Sequence, residues 1–263
     1  MSTDSSKPFS RSSSSQRPPN HKASITIQTV LIGLLLYIVP PVIASVWIGL
    51  TVALIGVSSV DATHWLENAA SAQFVYVLIT EVLVMAAIVW LLRVTEETWR
   101  SIGVRKPKFS HIAYTLGGFV SYYAIYIVVA AIVSQIFALN FNQRQEIGFS
   151  TDSTGVNVAF AFAALVILPP IVEEILFRGF LYTRFRKALS IKWAAVAASL
   201  LFAAAHLQFG SGNALLWVAA LDTFILSLVL VYLREKTGNI WAGAGVHALK
   251  NLLAFLILFH IVQ

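Results

Sequence analysis

The sequence predicts an all-α, polytopic membrane protein: a helical bundle of about seven transmembrane helices. Three observations predict it. Of 263 residues, 58% are hydrophobic and only 11% are charged, whereas a soluble domain carries about 25% charged residues. Successive apolar runs approach or exceed the ~17–25 residues a helix needs to cross a bilayer. The lysines and arginines fall between those runs with a one-sided bias, which is how membrane topology is written into a sequence. There are no cysteines, so disulfides and thiolate metal sites are excluded, and any metal would have to be held by His and carboxylate.

Residues 1–24 read as a disordered tail. They are rich in Ser and Pro, mildly basic through Lys7, Arg11, Arg17 and Lys22, and bury too little apolar surface to offset the entropy of ordering. The apolar stretch that follows is too long for a signal-peptide core and is expected to stay as a membrane anchor. Apolar segments run at about 25–57, 72–92, 111–139, 156–182, 192–207, 213–233 and 239–261. The first and third exceed a straight crossing, which tilt or an interfacial end absorbs. Pro40-Pro41 is expected to kink the first. Pro169-Pro170 interrupts the fourth and frees backbone carbonyls there, a break tolerated beside a polar cavity. The fifth is the shortest. Residues 25–155 carry no recognisable motif, and residues 156–263 hold the chemistry.

Charge sets the orientation. With the N-terminus cytoplasmic, fifteen Lys and Arg fall on one side: the tail, residues 93–108, residues 183–192 and residues 234–236. The opposite loops hold Arg144 alone. That bias predicts seven crossings with the N-terminus cytoplasmic and the C-terminus outside. The net charge of +6 is thus a topology mark, and nucleic acid is not an expected partner.

Polar groups inside the spans are the functional candidates, because a charge at bilayer depth costs about 2.5–3.5 kcal/mol on insertion scales. Glu173 and Glu174 are adjacent, with Arg178 in the same run. Glu174 and Arg178 are spaced i, i+4 and can pair on one face. Glu173 is rotated by about 100° and is left free for other work. The bland reading is an ion-pair network bracing the bundle. Phe202-Ala203-Ala204-Ala205-His206 ends the fifth span; its alanines let helices approach closely and leave His206 as the polar reach of that face. A lone intramembrane His is more often a hydrogen-bonded core residue than a ligand. His247 and Asn251, also i, i+4, project to one side of the last span, behind the small residues Ala242, Gly243, Ala244 and Gly245. Asp222, Glu81 and Lys250 are further intramembrane charges, read as structural or supporting groups that pair with each other or with Arg178. His21, His64, His111 and His260 have no motif context.

Depth makes a shared cavity feasible. At 1.5 Å per residue, Glu173, His247 and His206 lie roughly 15, 12 and 20 Å from the cytoplasmic ends of their helices. Peptide hydrolysis needs an activated water, a proton donor for the leaving amine and stabilisation of an oxyanion. A carboxylate removed from water is a better base than one in water. Two histidines and a glutamate (Glu173, His206, His247) are alternatively a zinc ligand set with an open water position. Other protease solutions are missing: there is no H-E-x-x-H, no second intramembrane aspartate to pair with Asp222, and no serine in G-x-S-x-G.

The three ordered blocks Glu173-Glu174-x-x-x-Arg178, Phe202-x-x-x-His206 and His247-x-x-x-Asn251 resemble the CAAX protease and bacteriocin-processing (CPBP, or Abi) family, which includes the type II CAAX prenyl endopeptidases. The resemblance covers about residues 156–260. It implies a glutamate-dependent intramembrane endopeptidase with an all-helical core. By position, Glu173 is similar to the family's water-activating base and His206 to its partner. His247 and Asn251 are similar to its oxyanion-stabilising pair, and Glu174, Arg178 and Phe202 to its supporting residues. Whether such enzymes use Zn²⁺ or a bare Glu/His pair stays open. The family's eukaryotic members have eight spans against seven expected here. The resemblance implies CAAX-type cleavage, or peptide processing and self-immunity as for bacteriocins, by a multi-pass protein of a cell membrane, expected to be a bacterial plasma membrane. The partners implied are the bilayer and a peptide or membrane-protein substrate. The competing reading is a noncatalytic membrane scaffold or immunity factor that binds a peptide in the same cavity. A transporter is more distant, since no inverted repeat is legible.

Overall fold

A computed structural model of the chain describes residues 19–58, 60–61, 65, 69–137, 139–141, 147–208 and 214–261. The tail residues Lys7, Arg11 and Arg17, His64, Arg144 and most of the 208–212 loop lie outside the described residues. Among the described residues there is no strand, and the seven apolar segments appear, in order, as helices.

Helix α1, Pro19–Leu54, starts with proline at its first position, where the missing N–H costs nothing. Residues 19–24, expected in the tail, are therefore helical, and Pro40 and Pro41 lie inside this helix. Helices α2, Ala70–Val94, and α3, Ser110–Ile136, follow. The span α4 runs from Val156 to Ala188. Next come α5, Ile191–Ala205, and α6, Trp217–Thr237, which Gly238 ends at φ 63° with Arg234 and Lys236 in the last turn. Helix α7, Trp241–Leu256, continues as a π turn over Ile257–Ile261. Among the described residues, six helices are long and apolar enough to cross a membrane. The fifth, α5, has 15 residues and measures about 22 Å, short of the ~30 Å hydrocarbon layer.

The physics of α4 is set by its prolines. Two π segments, Ala163–Ile167 and Ile175–Leu181, flank the α-helical stretch Leu168–Glu174. The carbonyl of Leu165 would ordinarily accept from residue 169, or from residue 170 in a π turn. Both are proline and neither has an N–H. The sequence thus creates one backbone acceptor that must be satisfied from elsewhere.

Packing arranges the helices around this span. Helix α5 lies along α6, α7 packs against both α3 and α6, and α1 packs against α2 and the end of α4. Phe177, Phe180, Phe185, Phe202, Leu226 and Leu230 form the heart of the core. Close approach is built on small residues: a Cβ on Gly245 would lie 2.6 Å from Thr115 Oγ1, and that hydroxyl donates to the Ala242 carbonyl at 3.1 Å. On the outside, Leu31, Leu35 and Leu50 of α1 and Val120, Ile127 and Ile132 of α3 are exposed, as befits side chains whose surroundings are lipid.

Candidate active site

The break in α4 is answered by Asn251. Its Nδ2 donates to the Leu165 carbonyl at 2.9 Å, the acceptor that Pro169 and Pro170 leave open. This bond fixes the Asn251 amide and uses one of its two N–H groups. One helical turn earlier on α7, His247 is 3% exposed and sits between the two glutamates. Its Nε2 is 3.8 Å from Glu173 Oε2, and its Nδ1 is 3.6 Å from Glu174 Oε1. Both distances are too long for direct hydrogen bonds.

The two carboxylates have separate environments, as the helical spacing anticipates. Glu174 and Arg178, both fully buried, pair at 2.8 Å. The guanidinium also stacks 4.2 Å from the centre of the Phe202 ring, so charge and aromatic face hold it together. Gly243 makes room for this pair: a Cβ there would lie 2.8 Å from Glu174 Oε2. Glu173 has no such partner. Its Oε2 is buried and makes no hydrogen bond among the described residues, while Glu81 on α2, Lys250 and Tyr37 lie close enough to interact with its charge.

Helix α5 delivers His206 by stopping. The last four carbonyls of a helix lack intrahelical donors, and each finds one here. His206 Nδ1 meets the Phe202 carbonyl at 2.8 Å. Backbone N–H groups of His206 and Leu207 donate to Ala203 and Ala204 at 3.0 and 3.2 Å. Tyr37 of α1 donates its hydroxyl to Ala205 at 2.7 Å. Because a carbonyl only accepts, His206 Nδ1 must carry the hydrogen, which leaves Nε2 of the neutral ring as an acceptor. Phe202 packs against both His206 and His247, with ring centres 4.6 and 5.7 Å apart.

These side chains meet in one cavity of about 250 Å³, lined by Glu173, His206, Thr223, His247, Lys250 and Asn251 on its polar side and by Leu165, Pro169, Phe255 and Leu258 among its apolar residues. A larger groove of about 720 Å³, lined by Phe109, Ile112, Leu116, Trp241 and Leu249 among others, occupies another face of α7. It lacks any carboxylate. Glu173, His206, His247 and Asn251, singled out from the sequence, therefore line one space, with Glu174, Arg178 and Phe202 behind it. His247 Nε2 stands 3.8 Å from Glu173, and His206, the partner the resemblance implied, lines the same cavity. Among the described residues, no group of three or more His, Asp or Glu is gathered so as to hold a metal ion. Zinc at Glu173, His206 and His247 therefore carries no step of the mechanism below.

Two residues at the site were passed over in the sequence, Tyr37 and Tyr122. Tyr122 of α3 donates its hydroxyl to Asp222, whose other oxygen pairs with Lys250 at 3.1 Å. A tyrosine in a span has no spacing signal of its own; only its partners identify it.

No curated protein and no solved structure matches the chain. Residues 155–253, the stretch that carries Glu173, His206, His247 and Asn251, match the model of the type II CAAX prenyl endopeptidase Rce1-like family, so this part of the chain is similar to that family.

Proposed function

We propose that the protein is an intramembrane endopeptidase in which Glu173 activates water against a peptide bond. The observation that carries the reading is the Glu173 carboxylate: one oxygen is buried and makes no hydrogen bond among the described residues, inside a cavity shared with His206, His247 and Asn251. A multi-pass membrane protein with a CAAX-protease-like core is the coarser statement on which this rests.

The chemistry follows from the groups present. A water held by Glu173 and by the free Nε2 of His206 loses its proton to Glu173 as its oxygen attacks the peptide carbonyl. The developing oxyanion is met by the Nε2–H of His247 and by the second amide N–H of Asn251, fixed in place before the reaction by the Leu165 bond. Glu173 then returns the proton to the leaving amine. Arg178 balances the charge of Glu174, and the carboxylate that lines the cavity is Glu173. CAAX-type cleavage and processing of bacteriocin-like peptides are the two substrate classes of the matching resemblance. A cytoplasmic N-terminus and seven crossings, with the short α5 counted as one of them, complete the reading, supported by the fifteen-to-one distribution of Lys and Arg; a plasma-membrane location is proposed with them.

The test compares membrane-protein termini in cells with the wild-type chain and cells with Glu173→Gln. Termini that vanish in the variant, while the variant still inserts and melts like wild type, are the expected result. Equal cleavage of a substrate by purified wild-type and Glu173→Gln protein would end the proposal. A scaffold or immunity role instead leaves protection or partner binding intact in Glu173→Gln. Metal analysis with and without chelator separates the metal-free route from the zinc alternative: cleavage that persists at a metal content near zero supports the former.

A further inference from the structure

Lys250 stands on α7 between His247 and Asn251, and the structure spends three helices on holding it. Its ammonium is 3.1 Å from Asp222 Oδ2 on α6, and Asp222 Oδ1 accepts the hydroxyl of Tyr122, which projects from α3 and is 1% exposed. An ion pair that only braced the bundle would be turned into the contact between helices. Here Lys250 lines the cavity with Glu173, whereas Asp222 and Tyr122 stand behind it and do not. The ammonium carries three N–H donors, and a single ion pair leaves donors to spare. Lys250 is also near enough to act electrostatically on Glu173, His206 and His247. The cavity is therefore bipolar. A carboxylate stands at one point of its wall and an ammonium at another, and Leu165, Phe255 and Leu258 in the same lining supply apolar surface.

Resting on the endopeptidase reading of this cavity, we propose that Lys250, seated by Asp222 and Tyr122, is the specificity-determining cation that binds a carboxylate of the substrate. Two sources supply that chemistry: the free C-terminus of a peptide, or an Asp or Glu side chain near the scissile bond. Either one pairs with Lys250 while being repelled by Glu173, so the charge pattern orients the chain with its carboxylate away from the attacking water. Asp222 keeps the ammonium aimed in the absence of substrate, and its bond to Tyr122 keeps Asp222 from rotating into the cavity.

The experiment uses the full chain in lipid nanodiscs and a randomised, apolar fluorogenic peptide mixture in three forms: free acid, C-terminal amide, and free acid with Asp and Glu replaced by Asn and Gln. Charge-assisted bonds predict a preference of wild type for a carboxylate-bearing form of about tenfold or more, carried in KM. A preference lost on amidation assigns the C-terminus, and one lost with the Asn/Gln set assigns the side chain. Lys250→Arg keeps the preference; Lys250→Met brings the ratio to near one, with both variants checked for wild-type melting. Equal efficiency of wild type on all three forms overturns the inference while leaving the peptidase reading standing. Binding of the same peptides to Glu173→Gln protein separates the two proposals from the other direction. Lys250-dependent retention of the acid form without any cleavage by wild type upholds the cation site and sinks the peptidase, and equal retention of acid and amide sinks the cation site.

Discussion

Helices α1–α3 and helices α4–α7 are built from much the same apolar residues, yet they solve different problems. In the most apolar windows of α1–α3 only 11–22% of residues are buried, against 39–50% in α4, α6 and α7. The first group turns its leucines, isoleucines and valines to lipid. The second turns them to one another and keeps the ionisable groups among them. Hydrophobicity alone does not distinguish the two, because lipid tails are as apolar as leucine. What distinguishes them is where polar atoms find partners. The N-terminal helices nonetheless reach into the site at single points: Tyr37 to the end of α5, Thr115 to the start of α7, and Tyr122 to Asp222.

If that division is right, substitutions should separate by region more than by residue type. The largest effect belongs to Glu173→Gln, which removes the proposed base and is expected to lower the cleavage rate by about 10²–10⁴-fold with the melting temperature unchanged. Arg178→Leu comes next, for stability: it strands the Glu174 charge in the core, at a cost of about 3–5 kcal/mol. Ile127→Ala on the lipid face of α3 should stay within about 0.5 kcal/mol. Thermal melts of both in one detergent test the contrast, and equal losses would erase it. Asn251→Leu leaves the Leu165 carbonyl unsatisfied and is expected to cost about 1–3 kcal/mol, beyond any effect on cleavage.

Tyr37→Phe sharpens the comparison, since it removes one hydrogen bond from a lipid-facing helix to the site. The expected cost is about 0.5–1.5 kcal/mol, read by melting, together with a fall in kcat that Phe→Tyr reversion restores. The smallest effect lies in the loop after α2. Burial by itself would raise the Glu97 carboxyl, but the Lys187 ammonium and the Ser101 hydroxyl outweigh it and hold Glu97 below the usual carboxylate range. A depressed folded value means the pair's stabilisation is present above the ordinary carboxylate range and lost as pH falls through the folded value. Half of Lys187 is in solvent, so screening keeps the gain under about 1 kcal/mol. Lys187→Met should shift the melt slightly at neutral pH, and the difference should close under acid.

Much of the architecture was legible because its signals are local. Long apolar runs give the helices, and the i, i+4 spacing of Glu174 and Arg178 foretold their 2.8 Å pair without any knowledge of neighbours. Pro169-Pro170 announced a break and an unsatisfied carbonyl, though not which residue would answer it. Boundaries were softer: α1 begins at Pro19, inside the expected tail, because a proline can open a helix as well as punctuate a linker. The seat of Lys250 was not legible, since Tyr122, Asp222 and Lys250 are 100 and 28 positions apart along the chain and follow no period.

The sequence by itself determined that seven apolar segments become helices, that ionisable groups cluster in the last four, and that Glu174 rather than Glu173 takes Arg178. Each of these follows from covalent geometry: the 3.6-residue repeat, the missing N–H of proline and the cost of charge in hydrocarbon. Tertiary structure alone decided which groups share the cavity, which nitrogen of His206 keeps its hydrogen, and that His247 stands between the two glutamates. Those outcomes depend on how helices distant in sequence pack against each other, and no local rule encodes the distance between two side chains on different helices.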